Sequence, residues 1–354
     1  MSGATVFRSE TDSQHLPAAS VGMARHRVRE ISYPPRSGSG RHTVARRADV
    51  AVQSLHLASG PQKTTSMSSY QPIRPDDSRL HYTGVLVAGD ASDTVGHSLL
   101  PLGSGFFVAP FLVLTARHVI DEVSEQFHGC RIHEIVGDMK FGVDFSIQHP
   151  RHGQMKWAVM GYGYTPTIDV VALWVELREP AELPADFAWE LPTLSLAQAR
   201  VDQAINALGY PHSTHRLDEQ GHAKVGLNPH ESFGTIAAIH ERSRDRVMLP
   251  YPCFEASAAT KSGMSGGPVF SSEGHVIGVV GSSFELGESD EWEVSYVSAI
   301  WPAIGIELRH TAAPVTTAAM PYLLQALVDS GAVRAVDRFT SVDAAGTVTL
   351  RIPG

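Results

Sequence analysis

From about residue 80 onward the chain is written in short runs of β-branched and apolar residues separated by Gly, Pro, Asn and Asp, and this texture limits the possible folds more than any other feature. The runs are Tyr82–Ala88, Gly105–Val108, Leu112–Thr115, Val170–Leu177, Gln203–Leu208, Ser232–Ala237, Val247–Leu249, Pro268–Phe270, His275–Ser282 and Glu293–Val297. Each is too short for a helix, and ten strands at this spacing predict an all-β barrel or sandwich. Helical periodicity is confined to a short turn at Ala116–Val123 and to Met320–Val333, where Tyr322, Leu323, Ala326 and Leu327 share a face. No internal period of repeat-protein length occurs, which excludes a solenoid.

Charge and cysteine usage narrow the function classes. Residues 1–66 carry nine Lys/Arg against four acids, so the net charge of −9 leaves the rest of the 354-residue chain strongly acidic. A folded part of that sign does not offer a basic face to nucleic acid. The longest apolar stretch, Phe106–Ala116, contains Pro110 and falls well below the roughly 18 residues that cross a bilayer. No membrane role is therefore expected, and with no secretion-type leader the chain is expected in the cytoplasm. Two cysteines, Cys130 and Cys253, rule out a cysteine-based zinc site or a disulfide scaffold. Residues 1–76 lack periodicity and read as a disordered or non-native extension, with transit-peptide composition and a true start at Met67 as the alternatives.

Three stretches place one polar side chain in an apolar or Gly-rich setting. In GSGFFV…LTARHV (residues 103–119) a hairpin runs into a helical turn that holds His118 at the end of a strand. A histidine there can act as a general base, although alone it is one of 18 and also reads as an ordinary hydrogen-bonded residue. In IDVVALWV (168–175), Asp169 precedes a buried run, and an ionised carboxylate in such a place needs a partner, a histidine N–H or a local turn. In KSGMSGGPVF (261–270), three glycines around Ser265 permit backbone angles closed to other residues, so that the N–H groups of Gly263 and Ser265 can converge beside the hydroxyl. A Gly-rich hairpin turn is the simpler reading, but such a turn needs one or two glycines.

In these motifs and their order, His then Asp then Ser, the sequence resembles the chymotrypsin-like (trypsin-like) serine proteases, specifically the bacterial branch that includes glutamyl endopeptidases and the high-temperature-requirement proteases. The resemblance covers residues 80–300, with 51 residues from His118 to Asp169 and 96 from Asp169 to Ser265. It implies two six-stranded antiparallel Greek-key barrels with the active site between them: 77–190 bearing His118 and Asp169, 191–303 bearing Ser265. A short α/β extension, 304–354, follows. It further implies that Ser265 is the nucleophile, His118 its base and Asp169 the orienting carboxylate, that the N–H groups of Gly263 and Ser265 form an oxyanion hole, and that the substrate is a protein or peptide. The strand at Gly281, Ser282 and Ser283 would pair with the substrate backbone, and Ala259 and Thr260 would line the primary pocket. Neither pocket residue is charged, which disfavours an Arg or Lys preference and favours an uncharged or small residue. No metal or organic cofactor is implied, and Cys130 and Cys253 would fall in different barrels, unbridged.

Departures from the family pattern are Arg117, where a small residue is usual before the histidine, and Val280, where glutamyl enzymes carry histidine. Asp144 is the substitute carboxylate should Asp169 not serve. The barrel start near Leu80–Gly84 has no cleavage-and-Ile signature, so activity without processing is expected. The alternative function is a protease-fold binding or sensor module, latent until a partner or processing activates it. An α/β-hydrolase esterase is excluded by the order of the three residues and by the strand that follows Ser265. The extension 304–354 either braces the barrels or docks a protein partner; at this length it is too small for an independent peptide-binding domain.

Overall fold

The computed structural model describes residues 70–90, 100–128, 141–165, 167–217, 223–285, 293–308, 322–336, 340–342 and 348–350. The chain enters through a short strand, β1 (Tyr70–Pro72), and a 3-10 turn, Ser78–His81, whose first N–H groups are capped by Asp77. Tyr70–Pro72 and the buried Ile73 thus pack with the rest although they fall inside the segment assigned from sequence to the extension. The rest of that segment, Met67, Cys130 and the tip at 351–354 lie outside the described residues.

Six strands close the first barrel: β2 (Thr83–Asp90), β3 (Leu100–Ala109), β4 (Leu112–Ala116), β5 (Phe141–His149), β6 (Gly153–Tyr164) and β7 (Val170–Glu179). Their order around the barrel is β2-β3-β4-β7-β6-β5, with β5 returning to β2. Its interior is aromatic: Phe107 meets Phe145, Trp157 and Trp189 edge to face at 5.0–5.1 Å, an arrangement aromatic quadrupoles favour.

After β8 (Leu194–Ser195) come β9 (Ala204–Gly209), the hairpin β10 (Thr214–Leu217) and β11 (Ala223–Gly226), then β12 (His230–His240), β13 (Cys253–Ala256), β14 (Pro268–Ser271), β15 (Val276–Glu285) and β16 (Glu293–Ala299). Strands β9, β12, β13, β16, β15 and β14 form a second closed ring, because β14 pairs both β15 and β9. Counted along the chain, both barrels run 1-2-3-6-5-4, one topology used twice with no repeat legible in the sequence. Ile205, Ile236, Phe254, Val269, Val280 and Val297 fill the second interior.

Several sequence expectations are corrected. The helical turn at Ala116–Val123 is a full helix, α1 (Arg117–His128), amphipathic with Val119, Ile120 and Val123 buried. Val247–Leu249 is not a strand: Oδ1 of Asp245 accepts the N–H groups of Val247, Met248 and Leu249, and this side-chain cap curls the backbone away from a ladder. Strands β5 and β6 escaped detection, their polar and glycine-interrupted sequences lacking a clean run. The C-terminal helix is only Leu324–Asp329; its Leu324 and Val328, with Val333, bury in the main core, and Ala335–Val336 pairs parallel to β8. This part of the extension braces the barrels.

Candidate active site

Strand pairing explains how residues 51 apart in sequence meet. Antiparallel β4 and β7 pair Thr115 with Val171 and Ala116 with Val170, so the next step off the ladder sets the start of α1 beside Asp169. There the N–H of Arg117 donates to the Asp169 carbonyl at 3.3 Å and the N–H of His118 to Oδ1 at 3.0 Å. The imidazole Nδ1 of His118 lies 2.7 Å from Oδ2. An ionised carboxylate only accepts, so Nδ1 carries the proton and Nε2 is left as the basic nitrogen. Burial alone would push the His118 pKa down; the Asp169 charge and hydrogen bond, with Glu122 and Asp121 behind them, outweigh it and hold the ring above its ordinary value. Asp144, the substitute carboxylate, instead pairs with Arg178 at 3.1 Å on the β5–β7 side of the barrel.

The segment 261–267 makes two successive tight turns, closed by Met264 N–H to the Lys261 carbonyl and Gly267 N–H to the Met264 carbonyl, both at 2.9 Å. Gly263 and Gly266 take φ of +91° and +88°, open to glycine but costly for other residues. Between the turns Met264 is buried as an anchor, and the carbonyl of Ser265 reaches the first barrel, where it accepts from Ser104. Packing brings the loop to the histidine. A Cβ on Gly103 would meet the Ser265 carbonyl at 2.7 Å and Val119 Cγ2 at 3.0 Å, and one on Gly266 would collide with Thr115 and Ser104.

Ser104, in β3, ties the two barrels at this point. Its N–H donates to the Ser265 carbonyl at 2.7 Å, its hydroxyl donates to the Gly263 carbonyl at 2.7 Å, and its Oγ accepts the Tyr210 N–H at 2.8 Å. Among the described residues the N–H groups of Gly263 and Ser265 have no acceptor, so both are available to an incoming oxygen. The Ser265 hydroxyl donates to the Gly281 carbonyl at 3.1 Å, and no hydrogen bond joins it to His118.

Of the expected substrate-binding residues, Thr260 is buried, with its hydroxyl 2.7 Å from that of Ser295, which in turn donates to the Ala258 carbonyl at 2.7 Å. Ala259 and Ser282 are half-buried. Gly281 and Ser282 fall at a break in the β15–β16 register, between Val280 paired with Val297 and Ser283 paired with Ser295. Two residues escaped the sequence reading. Ser104 stood in view between Gly103 and Gly105. Tyr251, whose hydroxyl donates to Asp169 Oδ2 at 3.3 Å, sits in no motif.

Two barrels of one topology, with a His–Asp pair and a Gly-framed serine where they meet, define a peptidase of the chymotrypsin type. The family model described as trypsin-like peptidase domain matches residues 103–279, half of the chain, and the chain belongs to that family, a serine protease hydrolase acting on protein or peptide. Among solved structures it is similar to the Rv3671c protease of M. tuberculosis in its active form, at 19% identity over 62% of this chain and 77% of that one, TM-score 0.39. The inactive form of that protease gives 19% identity over 62% and 84%, TM-score 0.37. Deg5 gives 19% over 61% and 83%, TM-score 0.38. No curated protein matches the chain. Among the described residues no helix is long and apolar enough to cross a membrane, and no cluster of His, Cys, Asp or Glu fits a metal ion.

Proposed function

We propose that the protein is a serine endopeptidase working through Ser265, His118 and Asp169. The observation that carries this reading is the 2.7 Å contact between His118 Nδ1 and buried Asp169, which leaves Nε2 as the basic nitrogen. Ser265 Oγ attacks the scissile carbonyl while its proton passes to Nε2, and the resulting oxyanion accepts from the N–H groups of Gly263 and Ser265. The His118 imidazolium returns the proton to the leaving amine, giving an ester on Ser265. Water, deprotonated by the same ring, hydrolyses that ester. The substrate backbone pairs along Gly281, Ser282 and Ser283, and Ala259 and Thr260 line an uncharged pocket for the residue before the cut. A cytoplasmic location and a protein partner on residues 304–354 belong to the same proposal and rest on the sequence alone.

A second reading, a latent site awaiting a partner or processing, is favoured by one observation: the Ser265 hydroxyl engages Gly281 and not His118. Intact mass after incubation of the full chain with a fluorophosphonate separates the two. One adduct, absent from Ser265→Ala and His118→Ala, is expected of a working site. No adduct on a folded wild-type chain overturns the first reading.

A further inference from the structure

Asp169 takes three donors, and the third comes from the other barrel. Two are the N–H and Nδ1 of His118; the last is the phenol of Tyr251, which enters just before β13. Tyr251 is buried, only 7% exposed, in a small cluster with Leu249, Cys253 and Tyr296. The loop that delivers it is fixed by the Asp245 cap and by the N–H of Arg244 donating to the Leu249 carbonyl at 3.0 Å. The ring therefore has little freedom, and its O–H points at the same oxygen, Oδ2, that serves the histidine.

We propose that Tyr251 is a positioning residue that sets the acceptor strength and rotation of the Asp169 carboxylate, and through it the basicity of His118. The proposal rests on the reading of His118 as the base. Two donors on one carboxylate oxygen compete for its electron density, so a phenol there weakens the pull of Oδ2 on the His118 N–H. It also blocks rotation of the carboxylate, which would otherwise trade Oδ1 and Oδ2 between the backbone and ring N–H groups of His118. Because the phenol belongs to the second barrel and the acid–base pair to the first, the contact makes the pair sensitive to how the barrels meet. Burial and the adjacent Asp169 charge both hold the phenol protonated, so it donates throughout the working pH range. Among the described residues three other titratable groups bear on this contact. Glu122 and Asp121 lie on the His118 side, Asp121 itself paired with Arg117 at 3.4 Å, and Cys253 lies behind Tyr251.

The test follows the His118 Cε1–H resonance through a pH titration in the full chain, which reads the ring whether or not the protein cleaves anything. Tyr251→Phe, which removes only the hydroxyl, is expected to move the His118 midpoint up by about half a unit. Replacing Tyr251 with 3-fluorotyrosine, a stronger donor of nearly the same shape, is expected to move it down. A side chain that merely filled space would move neither. In an Asp169→Asn background the Phe variant is expected to cause no further shift. On a peptide substrate Tyr251→Phe should lower kcat about threefold to tenfold with KM unchanged. Superimposable titrations, or an equal shift in the Asp169→Asn background, overturn the proposal. A shift in a chain that fluorophosphonate does not label sustains it and refutes the peptidase reading instead.

Discussion

The Ser265 hydroxyl donates to the carbonyl oxygen of Gly281 at 3.1 Å, so the expected nucleophile is held by the same strand, β15, that is expected to receive the substrate. On the proposed function, an extended peptide pairing along β15 would bring its own N–H to that carbonyl, compete for the acceptor and free the hydroxyl to turn towards His118. Substrate binding and alignment of the nucleophile are then one event, in keeping with catalytic hydrogen bonds that tighten only in the complex.

This exchange predicts a difference between reagents. A peptidyl fluorophosphonate should label Ser265 faster at saturation than a non-peptidic one, by about fivefold or more for the exchange of one neutral hydrogen bond of about 1 kcal/mol. Limiting rates from mass-spectrometric time courses decide it, and equal limiting rates would mean that the Gly281 contact does not restrain the serine.

The acid limb of kcat/KM should lie above the ordinary histidine value of about 6.5, because Asp169 holds His118 above it and the ring must lose its proton before it can accept one from Ser265. Activity therefore rises as pH climbs through the raised midpoint. In Asp169→Asn burial is opposed only by the more remote Glu122 and Asp121, so the midpoint should fall, and kcat should drop by about 10³–10⁴-fold as the tautomer is lost. A pH–rate profile of both proteins checks the sign. An unmoved midpoint would place the control of His118 elsewhere.

Ser104→Ala removes one oxygen and leaves two groups without it, the buried Tyr210 N–H and the half-buried Gly263 carbonyl. Leaving buried polar groups unpaired costs about 1–3 kcal/mol, or a fall in Tm of roughly 2–12 °C for a unit of this size. Because Gly263 is one of the two expected oxyanion donors, labelling should slow as well. A Tm loss with unchanged labelling would show that Ser104 braces the barrels and not the loop.

What the sequence could reveal was whatever chemistry writes locally. His118, Asp169 and Ser265 were legible as candidates because each stands in a particular immediate setting: a strand end, a buried run, a cluster of glycines. The all-β class followed from the punctuation of short apolar runs, and the pair of barrels from the family resemblance. Strands β5 and β6 did not, since a strand stabilised by its place in a closed barrel tolerates Gly142, Gly161 and Gly163 and polar positions that a periodicity test penalises. Val247–Leu249 misled for the converse reason: its β propensity was overruled by three hydrogen bonds to Asp245. Tyr251 was invisible because its role lies in a contact across 82 residues, set by how two barrels meet. Ser104 shared the visible glycine motif, yet its contacts to Tyr210, just after β9, and to Gly263 and Ser265 in the serine loop exist only once the barrels close.

A last prediction concerns stability and not catalysis. At the β5–β6 hairpin, Nδ1 of buried His149 accepts the N–H groups of Arg151 and His152 at 3.2 and 3.3 Å, while the rings of His81 and His152 lie 4.5 Å away on either side. Burial first, then the positive charge that His81, His152 and Arg151 can carry, pushes the His149 pKa down to about 4. Protonating Nδ1 also breaks both hydrogen bonds of the turn. The unfolded chain binds this proton near pH 6.5 and the folded chain only near 4, so the stabilisation is complete above 6.5 and lost as pH falls towards 4. The full difference is about 3 kcal/mol. His149→Asn keeps an acceptor for the turn but cannot be protonated, and should flatten the dependence of Tm on pH between 6.5 and 4. If the variant and the wild type lose Tm in parallel over that range, the acid sensitivity belongs to another group.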